Sequence, residues 1–191
     1  MKVAVLGGGL VGTPMALDLN KNEGVTVILA DVNEKNLTRA KGEGIDCRLL
    51  DLMEEGVIEY LVKEVDFVIN ALPGSIGYSS LKRVIQAGKS GVDIAFYPED
   101  FSELNELALK NKLTWIVDMG VAPGMSHLLS AFAASQLDPA EDIKIYVGGL
   151  PKDTQSYWQY KAPFSPTDVI EEYTRPARFV RDGKVVSMPA L

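Results

Sequence analysis

The chain has 191 residues, more than one ordinary domain and less than two, and its 47% hydrophobic and 24% charged composition excludes a disordered chain, a collagen-like repeat and a disulfide scaffold. With 19 basic against 26 acidic residues the net charge is −7, which argues against a nucleic-acid surface and leaves small molecules or proteins as partners. The single cysteine, Cys47, allows no internal disulfide and fits a reducing cytoplasm, and no apolar run approaches the roughly 20 residues of a membrane helix.

Taken in chain order, runs of consecutive apolar residues at 2–6, 25–30, 45–50, 66–71, 92–96 and 113–117 have the pattern of strands buried on both faces. The segments between them, 11–20, 34–41, 52–63, 79–87 and 102–110, carry helical periodicity. This alternation predicts an α/β domain, a Rossmann-type doubly wound parallel sheet, over 1–120. Beyond it the sequence predicts a helix over 125–136, a strand over 143–147, a helix opened by Ser165 and Pro166, and a hairpin over 178–186 turning on Asp182-Gly183. Residues 121–191 thus begin an α+β substrate or dimerisation domain and supply too few strands for a sheet of normal size, as expected of a shortened protein or a fragment.

The first strand runs directly into Gly7-Gly8-Gly9-Leu10-Val11-Gly12, a G-x-G-x-x-G that opens a helix. Gly7 permits the tight turn, Gly9 lets a pyrophosphate approach the backbone, Gly12 lets helix and strand pack, and Leu10 and Val11 lie at the helix N-terminus where phosphates rest. Asp31 ends the second strand, and a carboxylate there accepts from the adenosine ribose hydroxyls and repels a 2′-phosphate. The following Val32-Asn33 supplies no Arg to hold that phosphate, so NAD is expected in preference to NADP. Asp51, after the third strand, is placed either to reach the adenine or to cap the next helix. Ala71-Leu72-Pro73, at the carboxyl end of the fourth strand, is expected along the cofactor.

At the domain junction, Asp118-Met119-Gly120-Val121-Ala122-Pro123-Gly124 precedes a helix containing the only histidine, His127. Backbone amides at Gly120, Val121 and Gly124 suit a substrate carboxylate. His127 has the residue type for acid/base catalysis, and a purely packing role on its helix is equally open. Tyr97 and Asp118 are further catalytic candidates, with Asp93, Glu99 and Asp100 at the same sheet edge. One His and one Cys make a zinc site unexpected.

Asn70-Ala71-Leu72-Pro73, Asp93-Ile94-Ala95-Phe96-Tyr97-Pro98-Glu99-Asp100, segment 118–124, and Phe164-Ser165-Pro166-Thr167-Asp168-Val169-Ile170-Glu171-Glu172-Tyr173-Thr174-Arg175-Pro176 together resemble the saccharopine dehydrogenase family, in its lysine 6-dehydrogenase-like branch. The resemblance implies an NAD(P)-dependent oxidoreductase acting on the carbon-nitrogen bond of an amino acid, with a homodimer formed through the second domain. It also implies a C-terminal return to the Rossmann domain, which this sequence lacks. His127 stands where that branch carries Asn and the saccharopine reductase branch carries His. A non-catalytic NAD-binding regulatory module, or a degenerate homologue, is the alternative.

Overall fold

A computed structural model describes residues 1–162 and 164–190. It divides into two compact units, Met1–Val147 and Gly148–Leu191.

In the first unit six strands, β1 (Lys2–Leu6), β2 (Thr26–Asp31), β3 (Asp46–Leu49), β4 (Phe67–Asn70), β5 (Ser90–Asp93) and β6 (Trp115–Ile116), form a parallel sheet in the order β3-β2-β1-β4-β5-β6. The strand order reverses between β1 and β4, and ligand crevices in such sheets lie beyond the carboxyl ends of the strands at that reversal. The connections are α1 (Gly12–Leu19), α2 (Glu34–Gly42), α3 (Val57–Val62), α4 (Gly74–Gln86), and a 3-10 turn Phe101–Leu104 leading into α5 (Asn105–Lys110).

Strand alternation splits the core between the two faces. Ala4, Leu6, Ile28, Ala30 and Val68 pack with Ile58, Leu61 and Val62 of α3 and Val84 of α4. Val5, Val27 and Leu29 pack on the other face with Ala16 of α1 and Leu37 and Ala40 of α2. Each fully buried Leu or Ile contributes about 1.5–3 kcal/mol, so the continuous apolar runs in the sequence are the main source of this unit's stability.

The ends of the elements follow local chemistry that apolar periodicity does not report. The helix expected over 52–63 contracts to α3 because Gly56 sits at φ +79° and Asp51 instead closes a turn, Oδ1 accepting from Met53 N at 2.9 Å. Arg83 of α4 pins that turn, donating to Leu52 O at 2.7 Å and Glu54 O at 2.9 Å while gripping both Glu59 carboxylate oxygens at 2.7 and 2.8 Å. Conversely, α4 starts five residues before the expected 79, directly after Pro73, whose carbonyl accepts from Ile76 N and Gly77 N. Strand β5 lies earlier than 92–96. The chain crosses the sheet closely at Gly91, where a Cβ would overlap Val68 O and press on the Trp115 ring, and it turns at Asp93.

After β6 comes α6 (Met125–Ala134), which buries none of its residues. The strand expected over 143–147 does not form. A strand requires a ladder partner, and the later strands, β7 (Ala177–Arg181) and β8 (Lys184–Met188), pair antiparallel with each other in the second unit. Their turn places Asp182 at φ +51° and Gly183 at φ +73°, the conformation expected of Asp-Gly in a two-residue hairpin turn. The preceding α7 (Pro166–Glu172) is capped by Ser165, whose Oγ accepts from Asp168 N at 3.4 Å, and it starts on Pro166 as its sequence predicts.

Candidate functional site

The glycine-rich loop leaves β1 at the strand-order reversal. Gly7 takes φ +99°, and a Cβ there would stand 2.6 Å from Ala71 O. At Gly12 a Cβ would overlap the Gly7 carbonyl oxygen and stand 3.3 Å from the Ala71 side chain, so loop, α1 and the β4 exit meet at van der Waals distance. Gly9 has nothing within 4 Å of where its Cβ would be. That open space beside the first amides of α1 is the cradle a pyrophosphate needs. Leu10 and Val11 are exposed on its rim.

Asp31 comes from the last position of β2 and is 9% exposed. Its Oδ2 accepts from Gly8 N at 2.7 Å, and its Oδ1 accepts from Asn33 N at 2.7 Å and Asn36 Nδ2 at 3.1 Å. Val32 is exposed beside it. Asp51 is exposed too, and one of its oxygens serves the local turn described above.

At the far side of the crevice Ala71, Leu72 and Pro73 join β4 to α4, with Leu72 buried and Ala71 N donating to Leu6 O at 2.8 Å. Beside them lies a polar pair, Asn70 and Asp93, whose contact with each other was not expected. Asn70, fully buried, donates from Nδ2 to Asp93 Oδ2 at 2.9 Å and to Gly77 O at 3.0 Å, while its Oδ1 is buried with no hydrogen-bond partner. Asp93 Oδ1 accepts from Ala95 N at 2.6 Å. Burial pushes the Asp93 carboxyl up to about 7 despite the hydrogen bonds from Asn70 and Ala95, and the charge of Asp118 pushes the same way. The signal in the sequence was a polar residue closing each of two neighbouring short strands, F-V-I-N and S-G-V-D.

Tyr97 follows from the turn that Asp93 holds. It is nearly buried, edge-on to Tyr78 with ring centroids 5.6 Å apart. Burial raises its hydroxyl well above the ordinary tyrosine range, followed by the charges of Asp93 and Asp118. Asp118, two residues after β6, takes φ +56°, and Met119 N donates to Asp93 O at 3.0 Å. The fold therefore gathers Asn70, Asp93, Tyr97 and Asp118 at one sheet edge.

Gly120, Val121 and Gly124 form a tight turn, with Met125 N donating to Gly120 O and Ser126 N to Val121 O, both at 2.9 Å. Gly124 takes φ +119°, and a Cβ there would lie 2.5 Å from Gly120 O, so both the conformation and the space call for glycine. His127 is exposed; its Nδ1 accepts from Gly124 N at 3.3 Å and its own N–H donates to Gly124 O at 3.0 Å. It closes the first turn of α6, and the neutral ring then carries its proton on Nε2. Among the described residues no helix is long and apolar enough to cross a membrane.

Residues 3–116 match the family model "Saccharopine dehydrogenase NADP binding domain", and residues 120–191 match "Saccharopine dehydrogenase C-terminal domain". Saccharopine dehydrogenase (NADP(+), L-glutamate-forming) of Schizosaccharomyces pombe is 25% identical over 194 residues, 97% of this chain and 43% of that protein. Mitochondrial alpha-aminoadipic semialdehyde synthase of Mus musculus is 27% identical over 198 residues, 98% of this chain and 21% of its own length. The chain thus spans less than half the length of these relatives. Among solved structures, apo saccharopine dehydrogenase (L-Glu forming) from Saccharomyces cerevisiae superimposes with a TM-score of 0.71 at 23% identity, covering 99% of this chain and 44% of that one. GenD2 from gentamicin A biosynthesis, solved with NAD, gives 0.53 at 23% identity over 69% of this chain and 39% of its own.

These matches correct the expected preference for NAD. The matching domain is an NADP-binding one, and the yeast relatives are named for NADP(+). The expectation treated the Asp31 carboxylate as an outward charge facing the ribose, whereas it accepts from two backbone amides, Gly8 N and Asn33 N, and from the Asn36 side chain.

Proposed function

The chain belongs to the saccharopine dehydrogenase family, and on that premise we propose that it is the dinucleotide-binding part of an NADP(H)-dependent oxidoreductase acting on the carbon-nitrogen bond of an amino acid such as saccharopine or lysine. The observation that carries the reading is the open cradle at Gly9, framed by Gly7, Gly12 and Ala71 at the strand-order reversal. Gly7 to Gly12 hold the pyrophosphate, and Ala71, Leu72 and Pro73 line the half of the crevice nearer the chemistry. The bound dinucleotide supplies hydride transfer. The protein supplies orientation and a dry edge: Tyr97 and Asp118 border the reacting region, and Asp93 holds the turn that delivers Tyr97.

Residues 1–120 form the cofactor domain and 121–191 the substrate-binding and dimer-forming segment. In that segment Gly120 and Val121 offer backbone amides to the substrate carboxylate, while the Gly124 amide, expected to join them, donates to His127 Nδ1. Val180 and Val185 on the exposed hairpin are faces that a second copy covers. One observation favours a second reading, a module that binds the dinucleotide without turnover: the only histidine is exposed and occupied in capping its own helix.

Fluorescence titration with NADPH, run beside a saccharopine- and lysine-dependent reduction assay, tests both. Binding with turnover establishes the enzyme, binding without turnover establishes the module, and absence of binding removes the proposal.

A further inference from the structure

We propose that Asp31 is a positioning residue for the dinucleotide site, a clamp that holds the Gly8 peptide and the β2–α2 turn as one body and does not read the 2′ substituent of the cofactor. The inference rests on the dinucleotide reading above and assigns a different task to the residue expected to select NAD.

A carboxylate offers about four lone-pair sites. In Asp31 three are taken by Gly8 N, Asn33 N and Asn36 Nδ2, at 2.7, 2.7 and 3.1 Å. The Gly8 peptide is held from its other end as well, since Gly8 O accepts from Thr13 Oγ1 at 2.7 Å. Thr13 Oγ1 also lies 3.4 Å from Asn36 O. Gly8, Asp31, Asn36 and Thr13 therefore close a circuit through the glycine-rich loop, the end of β2, α2 and α1.

The packing around this circuit is tight. A Cβ at Gly8 would meet Asp31 Cβ and Leu37 Cδ2, both at 3.3 Å, whereas the adjacent Gly9 faces open space. N–H dipoles aimed at a carboxylate fix its orientation, and with three acceptor sites taken Asp31 is committed first to the loop and the turn. A clamp role for this acid agrees with the match to an NADP-binding domain.

The test uses the 191-residue chain and its Asp31→Ala, Asp31→Asn and Asn36→Ala variants, titrated by fluorescence with NADPH and with NADH. Backbone amide exchange is measured without cofactor. Asn36 is the second route into the clamp if Asp31→Ala fails to fold.

Asp31→Ala is expected to weaken both cofactors by about tenfold or more, and Asn36→Ala by a smaller common factor. The NADPH-to-NADH affinity ratio stays within about twofold of wild type because the lost hydrogen bonds serve the loop shared by both. Asp31→Asn keeps one acceptor oxygen and recovers part of the affinity. Amide exchange at Gly8 and Asn33 accelerates in the Ala variant of Asp31. Loss of NADH binding alone, or tighter NADPH binding, in Asp31→Ala would overturn the proposal by making Asp31 a reader of the 2′ position. Unchanged exchange at Gly8 would overturn it by removing the clamp. If wild type binds neither cofactor, the proposed function falls, and Gly8 exchange still decides whether the clamp exists.

Discussion

Replacing Asp93 by Asn is expected to flatten the dependence of stability on pH between about pH 5 and pH 8. Asp93 is fully buried, and burial raises its carboxyl from 3.8 to about 7 against the opposing hydrogen bonds of Asn70 and Ala95. Between those two values the native state retains a proton that the unfolded chain has released. Stability therefore falls as pH rises from about 4 and levels off above about 7. The full difference is roughly three pKa units, about 4 kcal/mol, and the part expressed between pH 5 and pH 8 is about 2–3 kcal/mol. For a protein of this size that is a fall of about 5–10 °C in melting temperature. Asp46, Glu59 and Glu64 act in the opposite sense, since Arg48 or Arg83 lowers each, but they titrate below this window. Asp93→Asn keeps the shape of the side chain and one acceptor oxygen for the Asn70 Nδ2 or the Ala95 N bond. Thermal or urea unfolding of both proteins across the window is the assay. Parallel profiles for wild type and variant would refute the assignment of the slope to Asp93.

Gly9→Val should leave the melting temperature near wild type and abolish dinucleotide binding, because it fills open space that only the ligand uses; retained affinity in a titration would contradict it. Gly12→Ala should do the reverse first, costing about 1–3 kcal/mol in urea unfolding, since its Cβ would overlap Gly7 O. Arg83→Ala should cost about 2–3 kcal/mol by the same measurement, because it strips the Glu59 carboxylate and the Leu52 and Glu54 carbonyls of their shared donor; a loss below about 0.5 kcal/mol would show that water replaces it freely.

What could be read from the sequence was the sheet. Strands such as 2–6 and 25–30 are apolar on consecutive positions because helices cover both their faces, and that requirement is written residue by residue. The glycine-rich loop was legible for the same reason, since Gly7 and Gly12 are dictated by contacts within a few residues and with the neighbouring strand. Element ends were less legible. Pro73-Gly74 has the composition of a turn and instead starts α4, a choice that depends on Gly77 packing against Ala95 and Tyr97 from another element. Residues 143–147 have strand composition, but a strand is a property of a pair. The hold on Asp31 was only partly legible, because Asn33 N and Asn36 Nδ2 lie within five positions of it whereas Gly8 N reaches it from the loop after β1. The Asn70–Asp93 pair went unassigned because its two members lie 23 positions apart and meet only through the register of β4 and β5.

The tight crossing at Gly91 gives the protein an internal spectroscopic label. The Trp115 ring occupies the space a side chain at position 91 would need, and its Nε1 donates to Lys89 O at 2.7 Å, so this indole is half-buried at the edge of the sheet. The other tryptophan, Trp158, belongs to the second unit and is 75% exposed. One indole thus emits from a packed, hydrogen-bonded environment and the other from water. Changes at the blue side of the emission band report on the six-stranded unit, those at the red side on the smaller one, and a single unfolding titration shows whether the two melt together.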